Sequence, residues 1–245
     1  MLENRTALIA GGVRGIGKAV ATLLATRGWA VAAAYRTRRE DAASLESALK
    51  PLGAPVITVQ ADVSDPSAAE NLVRRVEDEW GRVDALVHCA GPYRRLPVME
   101  ESVEGWRSMF DNNLHSLFYL SRLVAPGMKS RHWGRIVSFA VANADQTVGQ
   151  PYITAYYTAK VSVLVLTRSL AKALAPHGIT VNAVSPGILD TGSMPMDEFA
   201  NLVKNIPAGY VGLPEDAAAV VAFLLSEEAR YVSGTNIHVS GAWGI

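Results

Sequence analysis

Short apolar runs alternating with longer stretches at helical spacing constrain this chain more than any other feature. TALIA (6–10), AVAAAY (30–35), PVITVQ (55–60), DALVHCA (84–90), RIVSFA (135–140), ITVNAVS (179–185) and NIHVS (236–240) read as strands. The runs are continuous rather than alternating, so both faces of each strand are buried, as in a parallel sheet. Segments near 15–28, 39–50, 66–80, 103–130, 154–175 and 214–226 carry helical periodicity. This order predicts a Rossmann-type, doubly wound α/β fold: a parallel sheet of about seven strands with helices on both faces. Residues 1–245 contain no repeat, low-complexity tract or linker and read as a single domain.

One segment opposes its own propensity. VSVLVL (161–166) is β-branched and alternating, which taken alone suggests a strand. It runs without a turn signal from YYTAK into TRSLAKALAPHG, where Pro176 and Gly178 stop a helix. A helix over 154–175 is therefore expected, apolar on more than one face. Such a helix suits a subunit interface, so a homodimer or homotetramer through 154–175 is expected.

Charge and composition exclude several classes of function. The formal net charge is zero, which gives no global electrostatic case for nucleic acid or an anionic membrane. No apolar run approaches the roughly 18–20 residues needed to span a bilayer. The start, MLENRTALIAGG, has neither the basic nor the long apolar part of a secretory signal, so a cytoplasmic protein is expected. The single cysteine, Cys89, rules out an internal disulfide and a multi-cysteine metal site, and no metal is expected.

AGGVRGIG (10–17) follows the first strand and opens the first helix. Gly11, Gly15, Ile16 and Gly17 form a turn that brings backbone N–H groups and a helix N-terminus to a pyrophosphate. Selectivity for NAD places a carboxylate at the end of the second strand, yet no acid occurs between Lys18 and Glu40. Arg36, Arg38 and Arg39 follow that strand instead, with Arg14 in the glycine turn. Guanidinium groups match a 2′-phosphate in charge and shape, so NADP(H) is the expected cofactor, with Arg14 and Arg36 as leading contacts. Asp62 and Val63 follow the third strand, where a carboxylate can accept from an adenine amino group. Ala90 and Gly91 end the fourth strand and let a ribose come close.

Tyr156 and Lys160 lie four residues apart, on one face of the expected 154–175 helix. An ammonium beside a phenol is expected to lower the phenol's pKa and make Tyr156 a usable acid/base. AGGVRGIG, Asp62, CAG, FDNNL, YYTAK and SPGILDT, in this order along the whole chain, resemble the short-chain dehydrogenase/reductase family. The ending IPAGYVGLPEDAAAVVAFLLSEEARYVSGTNIHVSGA is most similar to bacterial 3-oxoacyl-[acyl-carrier-protein] reductases. The resemblance implies an NADPH-dependent reduction of a ketone such as a 3-oxoacyl thioester, with Tyr156 as general acid. It further implies that Lys160 holds the nicotinamide ribose and that Asn113 anchors a water relaying protons to Lys160. Pro186, Gly187, Ile188 and Thr191 match the turn that fixes the carboxamide.

Three positions depart from the family pattern. Ala10 stands where the family has threonine, and His88-Cys89 where it has Asn-Asn. The third departure is a serine expected at the tip of the fifth strand. Counting from Gly134 places Val141 there and counting back from Tyr156 places Asn143, so neither count meets a serine. Ser138 lies three residues before Val141, on the opposite face of a regular strand. Asn143 through its amide, or Asp145, is the expected substitute from 143–146; otherwise Tyr156 works alone. An acid here resembles pteridine reductases, which makes a pteridine or another small carbonyl the alternative substrate. An NADP(H)-binding sensor or scaffold with little catalysis is the non-enzymatic alternative. The stretch 188–212 is expected to form a substrate lid with Gly192, Gly209 and Gly212 as flexible ends and Met194, Met196 and Phe199 as an apolar wall. Arg94, Arg95, Lys129 and Arg131 are candidate contacts for an acidic carrier protein or a phosphate handle.

Overall fold

A computed structural model describes residues 5–192 and 202–245. Seven parallel strands form one sheet in the order β3-β2-β1-β4-β5-β6-β7. They are β1 (Thr6–Ala10), β2 (Ala30–Tyr35), β3 (Val56–Gln60), β4 (Ala85–His88), β5 (Gly134–Phe139), β6 (Ile179–Pro186) and β7 (Asn236–Val239). The central strands β1, β4 and β5 are buried along their whole length, as their unbroken apolar runs require.

Helices α1 (Gly15–Thr26), α2 (Arg39–Leu49) and α7 (Pro214–Leu224) provide the helical cover on one face of the sheet. Helices α3 (Pro66–Trp80), α5 (Ser116–Ser130) and α6 (Thr154–Leu174) pack on the other. Helix α3 shows how locally its start is encoded. The Asp65 side chain accepts from the N–H groups of Ser67 and Ala68, and Pro66 takes the first helical position. Such a cap contributes about 1 kcal/mol.

VSVLVL is helical, inside α6. The β-branched penalty is a few tenths of a kcal/mol per valine. Against it, Val163, Leu164, Ala171 and Leu174 form a buried stripe at helical spacing, and each fully buried Val or Leu contributes about 1.5–3 kcal/mol. Burial decides the conformation. Val165, on the outer side, is left 60% exposed.

The expected helix 103–130 is interrupted. It consists of α4 (Val103–Phe110), a wide π-turn (Asp111–His115) and α5. Side chains stand in for regular helical donors around the turn. Asn112 Nδ2 donates to the Ser108 carbonyl, Asn113 Nδ2 to the Met109 carbonyl, and Ser116 Oγ to the Asn112 carbonyl. Side-chain donors thus supplement the backbone ladder at three carbonyls where the turn widens.

The strand order reverses between β1 and β4, and the connections leave these two strands in opposite directions. A crevice opens there beyond the C-terminal ends of the strands, where open α/β sheets bind ligands.

Candidate active site

The crevice has a volume of about 540 Å³. Gly11, Arg14, Gly15, Ile16, Gly17, Arg36, Asp62, Val63, Ala90, Gly91, Tyr156, Lys160, Pro186 and Thr191 all line it, so fourteen of the expected site residues are brought together. Gly187 and Ile188 follow Pro186 but do not line it. Met194, Met196 and Phe199 lie outside the described residues. Of the expected flexible ends, Gly192 and Gly209 have positive φ, while Gly212 is bridged to Leu189.

The turn at 10–17 is shaped for a close approach. A Cβ on Gly11 would stand 3.0 Å from the Ala90 nitrogen, and one on Gly17 would stand 2.0 Å from the Gly11 carbonyl oxygen. No larger residue fits between the turn, the first turn of α1 and the end of β4, so backbone N–H groups are presented directly to the cleft. Arg14, Arg36 and Arg38 are exposed on its rim. Arg36 donates to Asn112 Oδ1 at 3.1 Å and lies 3.8 Å from Asp62 Oδ2. The other Asp62 oxygen accepts from the Ser64 N–H and hydroxyl and closes a local turn. Asn112 stands inside FDNNL but was not singled out from the sequence; it meets Arg36 at the rim from within the π-turn.

Lys160 is buried at the inner end of the cleft and donates to the Phe139 carbonyl at 2.8 Å. Burial pushes its ammonium down to about 8. Asn113 is fully buried behind Gly91, its Nδ2 bound to the Pro92 and Met109 carbonyls while Oδ1 has no partner. A Cβ on Gly91 would lie 2.2 Å from that oxygen and 3.5 Å from Lys160 Nζ, so glycine leaves the space these two groups face. Tyr156 is half-buried, with Lys160 Nζ 5.8 Å from its ring centre. The expected lowering of its pKa does not occur. Burial raises it, and so would charge on neighbouring Tyr93, because removing the phenol from water disfavours phenolate.

Val141, Asn143 and Asp145 are not among the residues lining the cleft, which along this stretch are Phe139 and Ala140. Asp145 instead pairs with His238 at 2.9 Å, which holds its carboxyl below the usual range. The Asn143 carbonyl accepts from the Tyr157 hydroxyl at 2.7 Å, and its backbone is left-handed (φ +62). Ser138 is inside β5 and bonds Thr167 Oγ1 at 3.0 Å, as its odd spacing from Val141 requires.

His88 and Cys89 are accounted for by packing. Cys89 donates its N–H to the Ala10 carbonyl, and burial pushes its thiol up to about 12, far from a reactive thiolate. His88 Nε2 is 2.8 Å from Ser116 Oγ, and burial followed by the Lys160 charge pushes its imidazole down to about 3. The unfolded chain therefore takes up a proton near the ordinary value of 6.5 while the folded chain resists it. Stability falls as pH drops from 6.5 toward 3, by an amount on the order of a few kcal/mol. His88→Leu is expected to flatten this dependence, with urea unfolding near neutral pH and at about pH 4.5 as the measurement. Ser116 keeps the Asn112 carbonyl as its acceptor in that variant.

The sequence family described as enoyl-(acyl carrier protein) reductase matches residues 10–243. The Vibrio cholerae protein named 3-oxoacyl-[acyl-carrier-protein] reductase FabG is 36% identical over 243 residues, 98% of this chain and 97% of that one. The Escherichia coli protein of the same name is 35% identical over 242 residues, with coverage of 98% and 97%. Among solved structures, one from Sinorhizobium meliloti described as a short-chain alcohol dehydrogenase superposes with a TM-score of 0.92 at 30% identity, covering 99% of this chain and 97% of that one. One from Bacillus thuringiensis described as a 3-oxoacyl-reductase superposes with a TM-score of 0.87 at 31% identity, covering 98% of each chain. Similarity of this extent, over whole chains and on one fold, means that the chain belongs to the short-chain dehydrogenase/reductase family and is an oxidoreductase of the CH–OH/C=O class.

Proposed function

We propose that the chain is an NADPH-dependent carbonyl reductase acting on 3-oxoacyl thioesters. The observation that carries this reading is one cleft with Tyr156 and Lys160 at its inner end and Arg14, Arg36 and Arg38 at its rim. The three guanidinium groups, with no carboxylate at the end of β2, suit a 2′-phosphate. The glycine turn, with Thr191 beside Gly15, would hold the pyrophosphate, Asp62 and Val63 the adenine, and Pro186 the far end. Bound there, the reduced nicotinamide nucleotide supplies the hydride.

The remaining chemistry belongs to the chain. A phenol kept protonated by burial is a proton donor throughout neutral pH, which is what an oxygen gaining negative charge requires. Below about pH 8 Lys160 is an ammonium, anchored by the Phe139 carbonyl and favourable to charge developing beside it. The unpartnered Asn113 Oδ1 is a buried acceptor suited to a water that returns protons toward Lys160. The thioester class is taken from the names of relatives at 35–36% identity. The pteridine alternative leaned on an acid near the strand tip, and Asp145 is engaged by His238 instead. Self-association through α6 fits the exposed Val165 on its outer side.

NADPH consumption with a 3-oxoacyl thioester panel tests the reading, beside dihydropterin and simple ketones. Turnover of the thioester with Arg36→Ala favouring NADPH over NADH about tenfold to a hundredfold less strongly is the expected result, matching one lost charge-assisted contact. Tight NADPH binding with no turnover on the whole panel would replace this reading by a sensor or scaffold.

A further inference from the structure

A carbonyl oxygen gains negative charge during reduction, and a site shielded from water meets that charge with more than one donor. Tyr156 is one. Along β5 and the segment after it, Ser138 is turned to Thr167 and Asp145 to His238, and Asn143 is not among the residues lining the cleft. Phe139 and Ala140, which do line the cleft, carry no donor.

Tyr93 reaches Tyr156 from the loop after β4, next to the cleft-lining Gly91 and Pro92. Its ring packs edge-on against the Tyr156 ring, centres 5.2 Å apart at 82°. It follows Gly91 and Pro92, and its loop is pinned at both ends. The Pro92 carbonyl accepts from Asn113, while the Leu96 and Val98 N–H groups donate to the Tyr152 and Pro151 carbonyls at 2.7 and 2.8 Å. The Tyr93 hydroxyl makes no hydrogen bond among the described residues, and the residue is 61% exposed. Charge on Tyr93 would raise the Tyr156 pKa, so the two phenols share one electrostatic neighbourhood.

We infer that Tyr93 donates the second hydrogen bond to the substrate oxygen, opposite Tyr156. The inference rests on the carbonyl-reductase reading. As the C=O π bond breaks, hydride from the reduced nicotinamide nucleotide forms the new C–H bond and the Tyr156 proton forms the O–H bond. Tyr93 keeps its own proton and only shares it with the oxygen. A pinned loop holds the donor in place before the substrate arrives, which is where such a contact gains its effect.

Tyr93→Phe tests this, because it retains the ring against Tyr156 and removes only the hydroxyl. The expected result is a fall in kcat of about 10²-fold with KM changed much less. Binding of the 3-hydroxybutyryl N-acetylcysteamine thioester to the NADP⁺-saturated protein, followed by calorimetry, is expected to weaken about three- to tenfold. NADPH affinity and thermal midpoint are expected to be unchanged. If Tyr93→Phe matches an active parent within about twofold in both kcat and thioester binding, the role of Tyr93 is overturned while the reductase reading stands. If the parent neither turns over nor binds any carbonyl or alcohol, both fall together.

Discussion

Gly17→Ala is expected to unfold well below the parent and to lose nucleotide binding. The added Cβ would stand 2.0 Å from the Gly11 carbonyl oxygen, 2.9 Å from its carbon and 3.0 Å from the Gly12 Cα. All three are backbone atoms of a turn clamped between β1 and α1, so no side chain can rotate aside. Relief requires α1 to move off the turn, and α1 is packed along its buried face by Val20, Ala21 and Leu24. Overpacking of this kind costs about 3 kcal/mol or more, which lowers the thermal midpoint of a chain this size by roughly 6–12 °C. The same displacement removes the N–H groups aimed at the pyrophosphate. Circular dichroism melting and an NADPH titration measure the two effects. A variant melting within about 2 °C of the parent with undiminished affinity would mean that α1 does not seat on the turn.

Tyr156→Phe is expected to abolish nearly all turnover while leaving the fold intact. No hydrogen bond joins the Tyr156 hydroxyl to any described residue, so its removal leaves no buried group without a partner, and the ring contact with Tyr93 persists. Loss of a general acid of this kind lowers kcat/KM by about 10²–10⁴, with NADPH affinity unchanged. The pH profile of the parent separates the two groups. Because burial raises the phenol, reduction is expected to be insensitive to Tyr156 ionisation across neutral pH. Lys160 is an ammonium below about 8 and neutral above it, so the rate is expected to decline on an alkaline limb near that value. A Tyr156→Phe enzyme retaining more than about a tenth of parental kcat/KM would remove the tyrosine from the reaction.

All seven strands are present and every expected helix forms, the one over 103–130 in two pieces around a π-turn, because local evidence marks them: an unbroken apolar run, a capping aspartate such as Asp65, a stop such as Gly178. The glycine turn and the Tyr156–Lys160 pair were legible for the same reason. Their spacing converts directly into shared position on one turn or one helix face. The helix over 161–166 was legible only by its continuity with its neighbours, since valine propensity points the other way.

What the sequence by itself determined is therefore the order of elements and the cleft they surround, since periodicity and glycine spacing act over a few residues. Tertiary structure alone decided which groups face that cleft. The π-turn carries Asn112 to Arg36, the Asn143 carbonyl holds the Tyr157 hydroxyl, and His238, 93 residues distant, takes Asp145. It also reversed the expected direction of the Tyr156 shift, because burial of the phenol, which no pair of residues four apart records, disfavours phenolate. Tyr93 meets Tyr156 across 63 positions of chain for the same reason: contacts at that separation follow from how the loop after β4 packs against the first turn of α6, which no local pattern records.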